Sequence, residues 1–491
     1  MPSTPTPTTI RHSACPHDCP STCALEVERL DDFRIGRLRG AAANAYTAGV
    51  ICEKVSRYAE RVHHPDRLRT PLRRKGAKAS GEFEPISWDA ALDEVAEAFM
   101  RAAQRLGSEA VWPLYYAGTM GLVQRDGIER LRHVLRWSRQ HSTICNTLVD
   151  AGWRAGPILC GDKRDLGAGP PVTAMLIQNT NPVVVSPEVL KVQRGFRRGD
   201  LFVCVHEQFL TDTARLADIV LPATSFVEHD DLYQSGGHSH LQLGPKIIEP
   251  YAEARSNHEV ICALAQRLGA EHPGFALSAR EIIDRTLEAS GYPGFDELQQ
   301  VHWIDLQPDF DAAHFIRGFP QTDGRFHFKP DWSKLGADCA GMPALPDHYA
   351  VIEEADAEHP FRMVAAPARS FLNTTFTETP GSRRREQRPS ALIHPADCAG
   401  LGIAAGERIL IGNRRASVRL HAKAFDGLQP GVIVVESIWP NSDFAGGVGI
   451  NALIGAEAGQ PNGGAVFHDT AVWIRKADGP HPPAATDSAL A

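Results

Sequence analysis

Four cysteines near the N-terminus carry the clearest chemical signal in this sequence. Cys15, Cys19 and Cys23 recur with three residues between neighbours, and Cys52 follows in the run Ile51-Cys-Glu-Lys54. Four thiolates are the ligand set that an iron–sulfur cluster requires. One tight loop can offer three of the sulfurs and a later loop the fourth. The pattern therefore predicts a redox centre that carries single electrons.

Spacing alone leaves two other interpretations of these cysteines open. A structural zinc site also uses four cysteines, but usually as two close pairs, whereas the pattern here is three plus one. Unligated thiols are the second alternative. Disulfides are disfavoured, because the opening run Met-Pro-Ser-Thr-Pro-Thr-Pro resembles no signal peptide. We therefore expect a cytoplasmic protein in a reducing compartment.

The composition indicates a globular protein of several domains. The chain has 491 residues, of which 43% are hydrophobic and 22% charged, so two to four domains are expected. No run of eighteen apolar residues occurs, which predicts the absence of a membrane span. The formal net charge of −8 gives no reason to expect nucleic acid as a partner.

The elements that must position the cysteines divide the chain into five parts. Residues 1–13, rich in Pro, Ser and Thr, are predicted to be a disordered leader. Residues 14–70 contain short alternating runs broken by glycines, which indicates a small β-rich iron–sulfur domain. Residues 71–350 form the central α/β part, residues 351–478 a C-terminal β-barrel, and residues 479–491 a disordered tail.

The central part alternates strands and helices. Ser87 is a plausible helix cap before an amphipathic run that ends at Gly107. Later strands over 175–177, 201–205 and 218–222 alternate with helical segments, which predicts a parallel sheet. In such sheets the functional loops follow the carboxyl ends of the strands.

Taken together, these residues resemble the molybdopterin oxidoreductases of the dimethyl sulfoxide reductase and formate dehydrogenase superfamily. The resemblance covers nearly all of residues 14–475, and its blocks occur in the family's order. Five blocks carry it: Cys15-Pro-His-Asp-Cys19-Pro-Ser-Thr-Cys23, Cys52-Glu-Lys54, Ile86-Ser-Trp-Asp-Ala-Ala-Leu92, Thr211-Asp-Thr-Ala-Arg-Leu-Ala-Asp-Ile-Val-Leu-Pro222, and the β-rich C-terminal region with Asn451-Ala-Leu453.

The resemblance implies specific cofactors and roles. The cysteines would hold a [4Fe–4S] cluster, and molybdenum would be chelated by two molybdopterin guanine dinucleotides. Cys145 stands where some members place a thiolate ligand to the molybdenum, a soft donor suited to that metal. Asn146 follows it, where formate dehydrogenases have histidine, so the resemblance does not imply formate as the substrate. Lys54 would assist the passage of electrons between cluster and pterin.

The resemblance also implies a set of cofactor-binding residues. Asn181 resembles a dinucleotide-binding turn, and a carboxylate near it would accept both N1–H and N2–H of guanine. The C-terminal barrel, of the double-psi type in this family, would contribute further pterin contacts. The full set is Asn181, Glu207, Thr211, Thr213 and Asp218 from the α/β part, with Arg369, Ser370, Asn373 and Asn451 from the barrel.

The chain is short for this family. Only 35 residues separate Cys145 from Asn181, where the family places a further dinucleotide-binding domain. A domain usually needs at least ~50 residues. One internal domain is therefore predicted to be absent between residues 156 and 171, and with it the site of one of the two dinucleotides.

Two functions follow as expectations. The first is a molybdenum-dependent oxidoreductase that acts on a small molecule and relays electrons through the cluster to a redox partner protein. The alternative is a degenerate, non-catalytic relative that keeps the cluster as an electron-transfer or interaction subunit. The small number of residues between Cys145 and Asn181 is the reason for this alternative.

Overall fold

The architecture rests on a small N-terminal sheet, a central six-stranded sheet and a C-terminal barrel. A computed structural model describes residues 8–138, 170–329, 344–345, 353–457 and 465–477. Cys145 and most of the segment 156–171 lie outside these described residues. In the described ranges, no helix combines the length and apolar character that crossing a bilayer requires.

The N-terminal sheet has three antiparallel strands in the order β1-β2-β3. They span β1 Thr9–Ala14, β2 Ala24–Arg29 and β3 Ile35–Gly40, and two short helices follow, α1 Glu53–Ser56 and α2 Tyr58–Val62. Strand β1 corrects the prediction of a leader over residues 1–13, because its backbone pairs with β2 from Thr9 onward. The pairing sets Ala14 opposite Ala24, so residues 15–23 form the loop that joins the two strands.

The central sheet is mixed, with strand order β5-β4-β9-β8-β7-β6. Its strands are β4 Leu72–Arg74, β5 Phe83–Pro85, β6 Val111–Tyr115, β7 Ala174–Gln178, β8 Phe202–Glu207 and β9 Ile219–Pro222. Strands β6 to β9 are parallel, as predicted. Strands β4 and β5 are antiparallel at one edge, because their short connection leaves no room for the crossover that parallel pairing needs.

Helices cover the central sheet. Helix α3, Trp88–Leu106, begins at Ser87, whose hydroxyl accepts from the Ala90 N–H at 3.2 Å, and its end at Gly107 also agrees with the prediction. Helix α4, Leu122–Leu135, follows β6. The remaining described α-helices of this region are Pro182–Val185, Val189–Phe196, Asn257–Arg267, Ala279–Ala289, Phe295–Val301 and Phe310–Ala313.

A second small sheet joins this region to the N-terminal domain. Its strands are β10 Asp231–Tyr233, β11 His240–Gly244 and β12 Trp303–Asp305.

The C-terminal region forms a closed six-stranded barrel with strand order β13-β17-β14-β16-β15-β18, and helices Pro380–Glu386 and Pro395–Leu401 belong to it. Its strands are β13 Phe361–Ala366, β14 Ser390–Ile393, β15 Arg408–Gly412, β16 Ser417–Ala424, β17 Val432–Glu436 and β18 Thr470–Lys476. The barrel interior belongs to the same hydrophobic cluster as Val27 and Tyr58 of the N-terminal domain, so these two parts share one core.

We expect Gly121→Ala to destabilise the turn that leads into α4. A Cβ there would lie 1.5 Å from an oxygen of Asp231, whose carboxylate accepts from the Val123 N–H at 2.9 Å and so cannot easily move. The free energy of unfolding should fall by about 3 kcal/mol in urea titrations. Gly199→Ala is the control, because nothing lies within 4 Å of its Cβ position. Equal stability of the two variants would contradict this packing.

Candidate functional site

A cavity of about 590 Å³ lies where the three parts of the chain meet, and we call it the central cavity. The N-terminal domain contributes His17 and Tyr58 to its wall. The carboxyl ends of the parallel strands contribute Asn181 and Glu207, and the barrel contributes Ser437. This is the edge at which open α/β sheets bind ligands.

The cysteine loop, residues 15–23, lies next to this cavity and brings its thiols together. The Cys15 N–H donates to the Cys23 carbonyl at 2.9 Å, so the antiparallel pairing continues into the loop. Burial raises the pKa of the Cys15 thiol, and the charges of Cys23, Cys52 and Cys19 raise it further. Burial also raises the pKa of Cys23 to about 11, with Cys52 and Cys19 adding to the effect. All four cysteines are therefore neighbours in space.

The four thiols do not converge on a single point. Within the described parts of the chain, no three His, Cys, Asp or Glu side chains lie close enough to hold one metal ion. A zinc site needs four donors at about 2.3 Å from one ion. Cys15 is buried and Cys23 partly buried, whereas Cys19 and Cys52 are exposed.

The β10–β11 hairpin binds the backbone of the cysteine loop. The Gly237 N–H donates to the Pro20 carbonyl at 2.9 Å, and the Ser235 hydroxyl donates to the same oxygen. Gln242 Nε2 donates to the Thr22 carbonyl at 2.5 Å. Sequence reasoning did not find these contacts, because more than two hundred residues separate the partners.

Three of the predicted cofactor-binding residues, Asn181, Glu207 and Asn373, line the cavity, and a fourth, Thr213, contacts Asn181. Asn181 follows β7, and its Oδ1 accepts from the Thr213 hydroxyl at 2.6 Å and from the Thr213 N–H at 3.2 Å. Glu207 ends β8 on the cavity wall, and burial raises the pKa of its carboxyl. Asn373 also lines the cavity, with a left-handed φ of 47°.

Other predicted residues make internal contacts instead, and none of them belongs to the cavity wall among the described residues. The Asp218 carboxylate pairs with Arg74 at 2.9 Å and with Lys78, so its oxygens are already engaged. The Thr211 hydroxyl accepts from the Ala214 N–H at 3.3 Å. A cofactor role for Asp218 and Thr211 therefore gains no support from the geometry.

The same holds for three barrel residues and for Lys54. Asn451 Nδ2 donates to the carbonyls of Val184 and Val185 at 3.0 and 2.9 Å, and so fastens the barrel to the α/β part. Arg369 pairs with Glu53 at 3.0 Å, and the buried Ser370 N–H donates to Glu386 at 2.7 Å. Lys54 is partly exposed on α1 and does not contribute to the described cavity wall.

Three buried polar atoms on the cavity wall have no hydrogen-bond partner within the described structure. They are His17 Nε2 from the N-terminal domain, His229 Nε2 from the α/β part and Ser437 Oγ from the barrel. Burial lowers the pKa of each histidine to about 3, so both rings are neutral near pH 7. Buried polar atoms normally have partners, so these three atoms around one cavity are available to hydrogen-bond a ligand or water there. The sequence contained a signal only for His17, which lies inside the cysteine motif.

A buried ion pair supports the wall that carries His229. Arg67 donates to both oxygens of Glu228 at 2.7 Å, and both side chains are 1% exposed. The Ser225 N–H donates to Glu228 at 2.6 Å, and Arg67 also donates to the Ala223 carbonyl at 3.3 Å. The pair therefore holds the segment 223–229 against the N-terminal domain.

Two family models match the chain. The model described as "Molybdopterin oxidoreductase" matches residues 164–267, and the one described as "Molydopterin dinucleotide binding domain" matches residues 361–471. The probable oxidoreductase YoaE of Bacillus subtilis (strain 168) is 24% identical over 679 positions, which cover 95% of this chain and 98% of that protein. The dimethyl sulfoxide/trimethylamine N-oxide reductase of Cereibacter sphaeroides is 27% identical over 53% of this chain.

Among solved structures, acetylene hydratase from Pelobacter acetylenicus shares the fold, with a TM-score of 0.75 at 15% identity over 95% of this chain and 100% of that one. The chain matches 35% of the Cereibacter protein's length. In the 679-position match to YoaE, 95% of 491 residues, about 466, belong to this chain. More than two hundred positions of that relative thus have no counterpart here, which agrees with the predicted shortfall.

We expect Glu228→Gln to destabilise the protein strongly, because it leaves the Arg67 guanidinium buried without a charged partner. The expected loss in the free energy of unfolding is about 3 kcal/mol. Glu84→Gln removes a similar pair with Arg73 in which both side chains are more than 40% exposed, and should cost far less because water screens that pair. Urea unfolding of both variants measures the two losses in the free energy of unfolding. Equal losses would show that burial of an ion pair does not determine how much it stabilises this protein.

Proposed function

Because the chain belongs to the molybdopterin oxidoreductases of the dimethyl sulfoxide reductase and formate dehydrogenase superfamily, we propose that it oxidises or reduces a small molecule at a molybdenum centre in the central cavity. One observation carries the proposal. The cavity is walled on one side by the cysteine loop and on the others by both regions that match molybdopterin family models.

The cavity residues fit a polar heterocyclic cofactor. Its volume lies within the range of about 300–1,000 Å³ typical of cofactor and ligand pockets. His17, His229 and Ser437 offer three unsatisfied polar atoms, and a pterin ring has both donors and acceptors at its edge. Of the two predicted carboxylates, Glu207 lines the cavity and Asp218 does not, so Glu207 is the one that we assign to accept from a guanine base. When bound, the cofactor would supply two-electron chemistry at its molybdenum, while these residues orient it and exclude water.

We propose that Cys15, Cys19, Cys23 and Cys52 hold a [4Fe–4S] cluster that passes electrons singly between the cavity and a redox partner protein. Cys15 is buried, while Cys19 and Cys52 are exposed to solvent, where a partner could approach. Lys54 follows Cys52 by two residues and remains the predicted aid to electron passage.

Cys145 is proposed as a thiolate ligand to the molybdenum, on the strength of the sequence motif alone. Two dinucleotides per metal are the superfamily's arrangement, and the missing internal residues would have held one of them. We therefore propose that this chain binds at least the dinucleotide that the barrel and the α/β part contact.

Purified protein should contain about four iron atoms per chain together with molybdenum and pterin. Elemental analysis and the fluorescence of the oxidised pterin measure these. Cys52→Ser should lower the iron content, whereas Cys398→Ser, which replaces a buried thiol on the barrel helix Pro395–Leu401, should not. Iron without molybdenum or pterin in the unaltered protein would contradict the proposed enzyme.

Gly237→Ala should displace the cysteine loop and reduce iron content at least about twofold, because steric conflict in a tightly packed site forces movement. A Cβ at Gly237 would lie 2.6 Å from the Pro20 carbonyl oxygen. The neighbouring Gly236→Ala is a matched control, since nothing lies within 4 Å of its Cβ position. Iron per chain after anaerobic purification is the measurement, and undiminished iron in Gly237→Ala would show that the hairpin does not position the ligands.

A further inference from the structure

His17 occupies a special place in the cysteine loop. It lies two residues from both Cys15 and Cys19, and its backbone N–H donates to the Cys15 sulfur. The residue also forms part of the cavity wall. A single residue thus contacts a predicted cluster ligand through its backbone and the cavity through its ring.

Aromatic neighbours fix the orientation of the His17 ring. It stacks on Tyr58 with centroids 5.4 Å apart and an angle of 22° between the planes. Phe376 of the barrel packs edge-on against it at 5.4 Å. The residue is 3% exposed, and its Nε2 has no partner in the described structure. The unpaired atom is therefore held in place by packing and is available for a ligand.

The other residue considered for contact between cluster and cofactor lies elsewhere. Lys54 is partly exposed on α1 and is not among the described residues that line the cavity. Among the described wall residues that the N-terminal domain contributes, His17 is the one with an unsatisfied buried polar atom.

We propose that His17 Nε2 forms a hydrogen bond with the pterin ring system in the central cavity, and that His17 is the positioning residue that couples cofactor binding to the cluster loop. The proposal rests on the proposed function. Hydrogen bonds around cluster sulfurs tune the reduction potential of a cluster. Occupation of the cavity should therefore shift the cluster's potential through His17.

The test compares protein with and without bound molybdopterin, the latter produced in cells that cannot make the cofactor. The cluster's midpoint potential is measured by redox titration followed by electron paramagnetic resonance. In the unaltered protein the two forms should differ. His17→Phe keeps the flat ring but removes the hydrogen bond. It should retain iron and show the same potential in both forms, and its pterin content at limiting cofactor should fall about fivefold.

Two further variants separate the possible causes. His229→Phe lowers pterin content in the same way but should leave the potential shift intact in the loaded fraction, because His229 is not on the cysteine loop. Lys54→Met should also keep the shift. A shift that survives in His17→Phe, or disappears in Lys54→Met, would overturn the proposal.

The remaining outcomes are also decisive. If His17→Phe loses iron, His17→Gln, which can still form a hydrogen bond, decides the matter. Restored iron and pterin content support the proposal, while loss of iron in both variants assigns His17 to cluster assembly and overturns it. Absence of pterin from the unaltered protein would instead refute the proposed function, which makes the two failures distinguishable.

Discussion

The site depends on the hydrogen bonds that the backbone of the cysteine loop makes with the rest of the protein. A loop of nine residues beside a cavity exposes carbonyl groups that need hydrogen-bond partners. Strand pairing supplies one, through Cys15 and Cys23. The β10–β11 hairpin supplies others at Pro20 and Thr22, from a distant part of the sequence. Because the loop cannot relax independently of the hairpin, the geometry of the thiols is a property of the folded whole.

Local signals in the sequence predicted much of the scaffold. Ser87 and Gly107 mark the ends of α3 because helix caps act through neighbouring residues. The alternation in the barrel strands reflects a buried face and an exposed face. The short strands β4 and β5 escaped prediction, since three residues are too few to show a periodic pattern.

Residues of the candidate site could be predicted from the sequence only where they belong to a sequence motif. Asn181 lies on the described cavity wall, and the cysteine loop contributes His17 to it, whereas Asp218 is not on that wall although it has the carboxylate that a guanine-binding residue would need. Only the fold reveals that Arg74 and Lys78 already neutralise it. Conversely, His229 and Ser437 have no motif of their own. They stand out because each has a buried polar atom without a hydrogen-bond partner, and burial of this kind cannot be predicted from the sequence.

The three unsatisfied atoms also bear on how the protein assembles. Each comes from a different part of the chain, so a ligand that contacts all of them binds only when the three parts are together. A ligand that binds the assembled state alone stabilises it by mass action. Before a ligand binds, the three unpaired polar atoms oppose closure of the cavity, because closure removes their hydrogen bonds with water. If the proposed cofactor is that ligand, its insertion and the final packing of the barrel against the cysteine loop are two aspects of one equilibrium.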